Sequence, residues 1–548
     1  MLRRHILTLP AAALATRAAD GSLDVSNRKQ LLFDSKFIES SAGISHTVNL
    51  PARTGEQLLR ADAPWERGMQ IGSYSSILRD NGKIRLWYNI RDEAHEPGKN
   101  PDNMFVAYAE SSDGLHFEKP ILNLIEHRGS RRNNFVMPAD PALMSQGGGS
   151  VNIDTNPACP PSERYKSWQK IYPRPNSGIQ GPHRVFVSPD GIHWRLHPSL
   201  VTGLRAADTQ PTWFWEPRIG KYIGYSREWV VFSGEQQIRM ASYNESANFF
   251  DWSNPHIVLE PDEADFAANP RPQVDFPAMT MIGERLVEHP SAAASRRPKQ
   301  RLFLPAADAS GQSPDQVPDP GAPLDIYGPG ITRYDQADSA YVALYSQFHH
   351  WGATAAGPDT GDIALALSRD GLHFQRPGNR YPYLRLGPAG AFDSQWIWAL
   401  PQPIPMGHEL WLYYFGSNQR HSGARDPNEP APHTAISRAV LRLDGFVSAD
   451  FAYTGGTLLT PPMRFSGSRL ELNLDTGGGG MGRVAILDER GLPIPGYTML
   501  EADQLNGNRT HITVSWKGRA SVAPLAARPI RLLFKMRSAK LYAFQFTA

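Results

Sequence analysis

Three stretches, SSDGLHFEKP (111–120), SPDGIHWRLH (188–197) and SRDGLHFQRP (368–377), repeat the pattern Ser-x-Asp-Gly-x-His-aromatic. Each follows a run typical of a β-strand, and an eroded fourth copy, SANFFDWSNP (246–255), follows QIRMASYNE. Asp tolerates the backbone of a tight turn and Gly supplies a positive φ, so the pattern predicts a turn between the last two strands of a sheet. A turn that recurs in this way indicates a repeat protein.

A second repeating unit, an inner strand followed by a strand rich in Tyr, Trp and Leu, recurs along the same part of the chain. Its five copies are SYSSILRDNGKIRLWYNI (73–90), VNIDTNPACPPSERYKSWQKI (151–171), TQPTWFWEPRIGKYIGYSR (209–227), GITRYDQADSAYVALYSQF (330–348) and ALPQPIPMGHELWLYYFGS (399–417). Radial repetition of four-stranded sheets hides their edges, so the sequence predicts an all-β fold with a five-bladed β-propeller. An irregular β-sandwich with coincidental turns is the alternative.

The turn pattern stops after RLDGFVSAD (442–450), and roughly seven strands of alternating polarity follow, which is typical of a jelly-roll-like β-sandwich. We therefore predict a propeller over residues 20–452 and a sandwich over residues 453–548. Residues 261–322 are rich in Pro, Ala, Asp and Arg and form a long insertion between blades three and four. Loops of this length are usually functional or disordered, so both a lid over the cavity and a mobile insertion stay open.

The composition argues against several classes of function. Lys and Arg number 56 against 54 Asp and Glu, a net charge of +2 without a long basic run, so nucleic acid is not an expected partner. The single Cys159 excludes an intrachain disulfide framework, and no metal-ligand spacing surrounds it, so we predict no metal site and no cofactor. The 13 Trp, 19 Tyr and 23 Phe suit β-sheet cores and also the faces of sugar rings.

Residues 1–19 are predicted to be an export signal. MLRRH is basic, ILTLPAAALA is a short apolar stretch, and small residues follow as a cleavage pattern. Arg3 and Arg4 also suit the twin-arginine route, so both the Tat and the Sec route stay open. No other stretch approaches the about 18 apolar residues of a membrane helix. The mature protein is expected to be periplasmic or secreted, without a membrane span.

The turns and three further segments resemble the five-bladed propeller glycosidases, the superfamily of arabinanases, invertases and fructan hydrolases. Those segments are DTQ…FWEP…GKYIGYSR (208–227), DIYG…Y…ALYSQFHHW (325–351) and FDSQ…ELWLYYFGSNQRH (392–421). The resemblance covers nearly the whole mature chain, and it is closest to an exported branch with LLFD near the N-terminus and a C-terminal sandwich. The invertase motif Trp-Met-Asn-Asp-Pro is absent, which argues against fructan substrates. The turns also resemble sialidase Asp-boxes, although sialidases normally have six blades.

The resemblance implies hydrolysis of a glycosidic bond in an oligo- or polysaccharide at the mouth of the central funnel. One carboxylic acid would protonate the leaving oxygen, and a second carboxylate would activate water or attack the sugar. Relatives commonly add a third acid, and some carry a structural cation in the funnel. The alternatives are a non-catalytic carbohydrate-binding propeller, whose acids would be paired with arginines, and a sialidase-like hydrolase, which would need three clustered arginines and a tyrosine nucleophile.

The candidate catalytic acids are those at the starts of blades, where the family site lies. Asp208, Asp325 and Asp393 open blades three, four and five among apolar or aromatic neighbours, where a carboxylate has a partner or a purpose. For each of them, a turn cap at the blade entrance is the structural alternative. Asp34 in LLFDSKFIE and Glu228 in YSREW are further catalytic candidates.

The candidate substrate-binding residues stand near those acids in the sequence or in the same blades. They are Asp154, Gln210, Arg227, Tyr327, His349, Gln395, Trp396 and His421. Glu216 is interpreted as a solvated hairpin acid. The turn histidines His116, His193 and His373 are interpreted as structural, because they stand in separate blades.

Overall fold

The computed structural model describes residues 21–93, 104–138, 143–145, 149–173, 183–203, 209–232, 236–262, 265, 280–282, 285–287, 324–349, 359–421 and 433–548. These residues form an all-β fold, a five-bladed β-propeller followed by a β-sandwich, which confirms the predicted fold class. Single turns of 3-10 helix occur at Ser35–Phe37, Pro64–Glu66, Pro161–Glu163, Gly378–Arg380 and Ala523–Leu525. In the described part of the chain, no helix is long and apolar enough to span a membrane. The predicted export signal lies outside the described residues.

Each blade is a sheet. In blades one to four the strands follow one another in chain order from the propeller axis outward, and in blade five the outermost strand comes from the N-terminal part of the chain. Blade one contains Met69–Ile71, Ser76–Asp80, Lys83–Asp92, Met104–Ser111 and Phe135–Met137, and blade two contains Leu143–Ser145, Ser150–Ile153, Tyr165–Pro173, His183–Ser188 and Arg195–Leu196. Blade three contains Thr212–Glu216, Lys221–Phe232, Gln236–Ser246 and His256–Leu259. Blade four contains Leu324–Gly328, Ile331–Arg333, Tyr341–His349, Thr360–Ser368 and Phe374–Gln375, and blade five contains Trp396–Ala399, Ile404–Met406, Glu409–Ser417, Thr434–Arg442 and Ala52–Arg53. The insertion between blades three and four contains the hairpin Thr280–Ile282 and Arg285–Val287.

Residues from all five blades line a common space at the propeller axis, which we name the axial channel. Small polar and apolar side chains line it: Ser76, Ile77, Ser150, Val151, Asn152, Thr212, Trp213, Ile331, Thr332, Pro401 and Gln402. This lining is uncharged, so the carboxylates of the innermost strands lie at the two ends of the channel.

The Ser-x-Asp-Gly-x-His segments form the predicted turns between the outer strands. In blade two, Asp190 Oδ1 accepts hydrogen bonds from the backbone N–H groups of Ile192 at 2.9 Å and His193 at 2.8 Å, and its Oδ2 lies 2.7 Å from His193 Nδ1. Gly191 takes the positive φ of 78°. In the eroded copy, Asn248 accepts the same two backbone bonds, so an amide can replace the carboxylate there. The turn histidines are therefore held within their own turns, as predicted.

We expect these turns to make folding stability depend on pH. Burial raises the pKa of Asp190, but the hydrogen bonds from the side chain and backbone of His193 outweigh it and lower the pKa to about 2. A carboxyl whose pKa is lowered in the folded state stabilises the fold above its unfolded value near 4, and this contribution is lost as the pH falls towards 2. Asp190→Ala should therefore lower the free energy of unfolding by about 1 kcal/mol at pH 6 and by less at pH 3. Urea unfolding at both pH values measures this.

The control for that prediction is Asp190→Asn, which keeps the backbone acceptor as Asn248 does. At pH 6, Asp190→Asn should lower the free energy of unfolding by less than Asp190→Ala does. Equal deficits for Asp190→Ala at pH 6 and pH 3 would contradict the assigned role of the carboxylate.

The sandwich consists of two six-stranded sheets. One contains Leu23–Ser26, Met463–Phe465, Ile530–Arg537, Gly456–Leu459, Ser40–Ala42 and Met481–Asp488. The other contains Asn508–Thr513, Arg469–Asp475, Ala539–Thr547, Val447–Phe451, Ile44–Val48 and Gln30–Leu31. The buried apolar residues of both sheets, among them Leu458, Leu472 and Phe534, form one core between them.

The N-terminal strands pair with the strands of the sandwich, whereas the predicted division of the chain assigned them to the propeller. The prediction placed residues 20–452 in the propeller, but the four strands between Leu23 and Val48 pair with the C-terminal sheets. The next strand, Ala52–Arg53, pairs with Thr434–Arg442 and so completes blade five. The chain therefore passes through the sandwich before it enters the propeller.

The sandwich packs against blades four and five. Leu31, Phe33 and Ala543 share an apolar core with propeller residues such as Tyr334 and Ala435. Polar contacts join the same surfaces, including the ion pair between Lys29 Nζ and the buried Asp444 at 2.9 Å. At this face the sandwich braces the propeller.

Candidate functional site

The two ends of the propeller carry different groups. At one end, which we name the turn end, the innermost strands finish and the Ser-x-Asp-Gly turns lie. We name the opposite end the entrance end. There the innermost strands begin and the second strands of the blades finish. In blade four, for example, Asp325 near the start of the innermost strand pairs with Phe348 near the end of the second strand. The acids at the two ends have different surroundings, which separates the predicted site residues into two groups.

A carboxylate and two arginines meet at the entrance end. Asp325 is fully buried, and its Oδ2 accepts a hydrogen bond from Arg239 at 2.8 Å. The guanidinium of Arg239 lies 4.7 Å from the centre of the Tyr327 ring and 4.6 Å from that of Phe348, and the guanidinium of Arg227 lies 5.6 Å from the Tyr327 ring. Blade three therefore places two cations against the first strand of blade four.

The strands of blade three explain this placement. Arg227 pairs with Ala241, and Trp229 pairs with Arg239, on two neighbouring antiparallel strands. Side chains alternate between the two faces of a strand, so residues at odd positions here point towards blade four, as Tyr225 does. By the same alternation Glu228, which is buried, points to the other face of the sheet. The structure therefore does not bring Glu228 to Asp325.

Aromatic side chains surround the hydroxyl of Tyr327. This hydroxyl lies 2.9 Å from His421 Nε2 and 3.3 Å from the hydroxyl of Tyr74. The rings of Phe348, Trp396 and Trp398 contact the Tyr327 ring edge to face, with centroids 5.3, 5.9 and 5.3 Å away. Tyr74 is half-buried and His421 is exposed, so this edge of the group reaches solvent.

We name this group the mouth cluster. It consists of Tyr74, Arg227, Arg239, Asp325, Tyr327, Phe348, Trp396, Trp398 and His421. Five of these nine residues were predicted from the sequence. Sequence reasoning missed Tyr74, Arg239, Phe348 and Trp398. Arg239 stands opposite Trp229, two positions along the strand from Arg227, and only this strand pairing brings it to the same face as Arg227.

Three further predicted binding residues also lie at the entrance end. Gln210 donates from Nε2 to the carbonyl of Ser75 at 2.9 Å, so it spans from blade three to blade one. Gln395 accepts from Arg420 Nε at 3.2 Å, next to Trp396. His349 Nε2 lies 3.3 Å from Asp362 Oδ1. Asp208 lies outside the described residues and stays a prediction.

Asp393 occupies a closure contact away from the mouth cluster. Its carboxylate is fully buried, lies 2.8 Å from Arg53 of the N-terminal strand, and accepts from the Tyr414 hydroxyl at 2.9 Å. Because Arg53 belongs to the outer strand of blade five, this ion pair fastens the strand that completes the ring. These contacts give Asp393 a structural role, and its catalytic role stays a prediction.

Asp34 lies at the turn end, against the sandwich. Its Oδ2 accepts from Arg369 Nε at 2.8 Å, and its Oδ1 accepts from the backbone of Lys36 at 3.1 Å. Burial raises the pKa of Asp34, but the hydrogen bond and charge of Arg369 outweigh it and lower the pKa. Arg369 belongs to the turn of blade four, so Asp34 joins the two parts of the chain and is remote from the entrance end.

Acids at the ends of three innermost strands fasten each blade to the next. Asp80 accepts from the Tyr165 hydroxyl, Asp154 from Tyr222 at 2.8 Å, and Glu216 from Tyr341 at 2.5 Å, and each tyrosine opens or nearly opens the second strand of the following blade. These three pairs lie at the turn end. The prediction that Glu216 is solvated is therefore wrong, because this acid is buried. Asp154 is buried between blades as well, and its role in substrate binding stays a prediction.

We expect Asp154→Ala to destabilise the protein strongly. Asp154 Oδ2 lies 2.5 Å from Lys166 Nζ, and the Lys166 side chain is only 3% exposed. Removing the carboxylate leaves a buried ammonium without its counter-charge, which costs about 3–5 kcal/mol. Chemical unfolding monitored by tryptophan fluorescence measures the loss.

The matched control for Asp154→Ala is the double variant Asp154→Leu with Lys166→Met, which removes both charges. It should recover most of the lost stability, because an apolar pair of similar volume often replaces a buried ion pair without cost. A single variant as stable as the wild type would show that this pair does not fasten the blades.

In the described part of the chain, no group of three or more His, Cys, Asp or Glu side chains is arranged to hold a metal ion. No protein-family model matches this sequence, and no curated protein matches it.

Solved structures with a similar arrangement of strands exist. An N-acetylgalactosamine deacetylase from F. plautii, solved with blood group B trisaccharide, is 13% identical with a TM-score of 0.40, and the match covers 74% of this chain and 97% of that one. A β-1,2-mannobiose phosphorylase from Listeria innocua is 12% identical with a TM-score of 0.37, covering 73% and 99%. A structure described as a glycoside hydrolase is 11% identical with a TM-score of 0.36, covering 71% and 92%. At these values the similarity assigns this chain to no family and to no activity.

Proposed function

We propose that the protein is an exported carbohydrate-active enzyme that hydrolyses a glycosidic bond at the mouth cluster. The observation that supports this best is the position of Asp325, a buried carboxylate beside Arg239 at the entrance end of the axial channel. A carboxylate kept among aromatic rings carries an energetic cost that a functional role explains. The aromatic faces and the polar edge formed by Tyr74 and His421 suit the two sides of a sugar ring.

In the proposed reaction, Asp325 acts on the anomeric side of the bond. It accepts the proton of the attacking water or stabilises the positive charge that builds on the sugar ring. Because Asp325 is fully buried, substrate reaches it only when the groups above it move. Asp208 stays the predicted second acid.

A carbohydrate-binding propeller without catalysis is the second candidate. Asp325, Asp393 and Asp34 are each paired with an arginine, at 2.8 Å in all three cases, which is the arrangement that this alternative predicts. The sialidase-like alternative has less support, because the described residues bring two arginines to Tyr327 and that chemistry needs three.

A screen of the purified protein distinguishes the two candidates. Release of reducing sugar is measured on aryl glycosides and on plant and bacterial polysaccharides, and binding to the same polysaccharides is measured by calorimetry. We expect at least one glycan to be cleaved. Saturable binding of a glycan without cleavage of any would overturn the hydrolase and establish the binding propeller.

A further inference from the structure

The hydroxyl of Tyr327 is the point where the polar groups of the mouth cluster converge. It contacts His421 Nε2 at 2.9 Å and the Tyr74 hydroxyl at 3.3 Å, while two guanidinium groups lie within 6 Å of its ring, at 4.7 and 5.6 Å. One hydrogen bond satisfies a buried tyrosine hydroxyl, whereas Tyr327 has two polar neighbours at its hydroxyl and two cations beside its ring. Hydrolysis of a glycoside needs a proton donor in addition to a carboxylate.

We propose that Tyr327 and His421 form a proton relay that protonates the leaving oxygen of the substrate. This inference rests on the hydrolase proposed above and names the groups that move the proton. Tyr327 is the catalytic residue, since its hydroxyl would touch the glycosidic oxygen. His421 is a positioning and supplying residue that acts through Tyr327.

The surroundings of His421 suit this task. Its ring contacts Phe348 and Trp396, with centroids 4.8 and 5.1 Å away, and its backbone N–H donates to the carbonyl of Asp359 at 3.2 Å. The imidazole is therefore held in place although the residue is exposed. An exposed imidazole exchanges protons with water near neutral pH, so it can reload the relay after each turnover.

Two guanidinium groups and one carboxylate stand around Tyr327. Arg227 and Arg239 lie over its ring, and the carboxylate of Asp325 stands two residues away in a pair with Arg239. Nearby cations stabilise negative charge that builds on the phenol oxygen. Tyr74 is uncharged, and His421 is either uncharged or cationic. Neither residue therefore places negative charge beside the Tyr327 hydroxyl.

The reaction balances as the addition of one water molecule. The glycosidic C–O bond breaks, its oxygen takes the proton of the Tyr327 hydroxyl, and Tyr327 takes the Nε2 proton of the His421 imidazolium. The oxygen of water forms the new bond to the anomeric carbon, and Asp325 takes one of its protons. Solvent then removes that proton from Asp325 and returns one to His421.

The test compares two substrates that share one sugar but differ in leaving group. A dinitrophenyl glycoside departs with little help from an acid, whereas the corresponding disaccharide needs protonation. We expect Tyr327→Phe to lower kcat/KM by at least about 100-fold on the disaccharide and by less than about 10-fold on the dinitrophenyl glycoside. Tyr74→Phe, which removes the neighbouring hydroxyl, is the matched control and should affect both substrates equally.

The variant His421→Gln supplies a second measurement, because this exposed position can be replaced without disturbing the core. It should lower kcat on the disaccharide and flatten the fall of kcat at high pH that the relay predicts for the wild type. Equal losses on both substrates in Tyr327→Phe, with an unchanged pH profile in His421→Gln, would overturn the relay alone. A wild type that hydrolyses neither substrate would overturn the hydrolase and the relay with it.

Discussion

Replacing Asp325 by Asn is expected to lower kcat on a cleaved glycoside by at least about 100-fold, the usual size of the effect when a proton-transferring group is lost. Asn has the same shape and can still accept the bond from Arg239, which is 2.8 Å long in the wild type. What it lacks is the negative charge that takes a proton or stabilises the sugar cation. Initial rates of sugar release, measured on protein with a confirmed native circular dichroism spectrum, give the effect.

Asp393→Asn is the matched control for Asp325→Asn. Both aspartates are fully buried, and both pair with an arginine at 2.8 Å. The two variants should therefore lose comparable stability, but only Asp325→Asn should lose turnover per folded molecule. If both variants kept the wild-type kcat, the catalytic role of Asp325 would be refuted.

A chain that ends at residue 452 is expected to yield no soluble protein. The strands Leu23–Ser26, Gln30–Leu31 and Ser40–Ala42 would keep their apolar side chains but lose their partner strands, and only Ile44–Val48 would keep its partner, Val447–Phe451. Val25 and Phe37, buried in the sandwich core, would be exposed together with unpaired strand edges, which promotes aggregation. Expression followed by size-exclusion chromatography measures the outcome.

The comparison for that truncation is a chain of residues 49–446, which lacks both halves of the sandwich. It carries no unpaired sandwich strand and should be more soluble than the chain that ends at 452. A chain of residues 21–452 that unfolds cooperatively as a soluble monomer would contradict the observed strand pairing.

The sequence predicts the parts of the fold that depend on near neighbours. A turn such as Ser188 to His193 closes within six residues, so its hydrogen bonds can be anticipated from the residue types alone. The N-terminal strands could not be placed in this way, because an alternating pattern predicts a strand but does not show which other strand it pairs with. Asp34 and Asp393 have arginine partners 335 and 340 positions away, which no local motif reports.

The sequence predicted some residues of the candidate site and missed others, because local motifs do not report contacts between distant parts of the chain. Tyr327, Trp396 and His421 stand in recognisable segments and do come together. The burial of Glu216 depends on Tyr341 in the next blade, and only the packing of the blades shows it. Of the predicted catalytic acids, the described residues bring only Asp325 to the mouth cluster.

The passage of the N-terminus through the sandwich sets the order in which the protein can mature on the ribosome. Leu23 pairs with Met463, and Gln30 pairs with Phe544. The first strands that are synthesised therefore stay unpaired until nearly the whole chain has been made. At about 5–20 residues per second, that wait lasts roughly 20 to 100 seconds. Blade five stays open for most of this time, since its outer strand also comes from the N-terminus. Completion of the ring needs residues 434–442 and is therefore expected late in translation, with the early strands as natural targets for a chaperone.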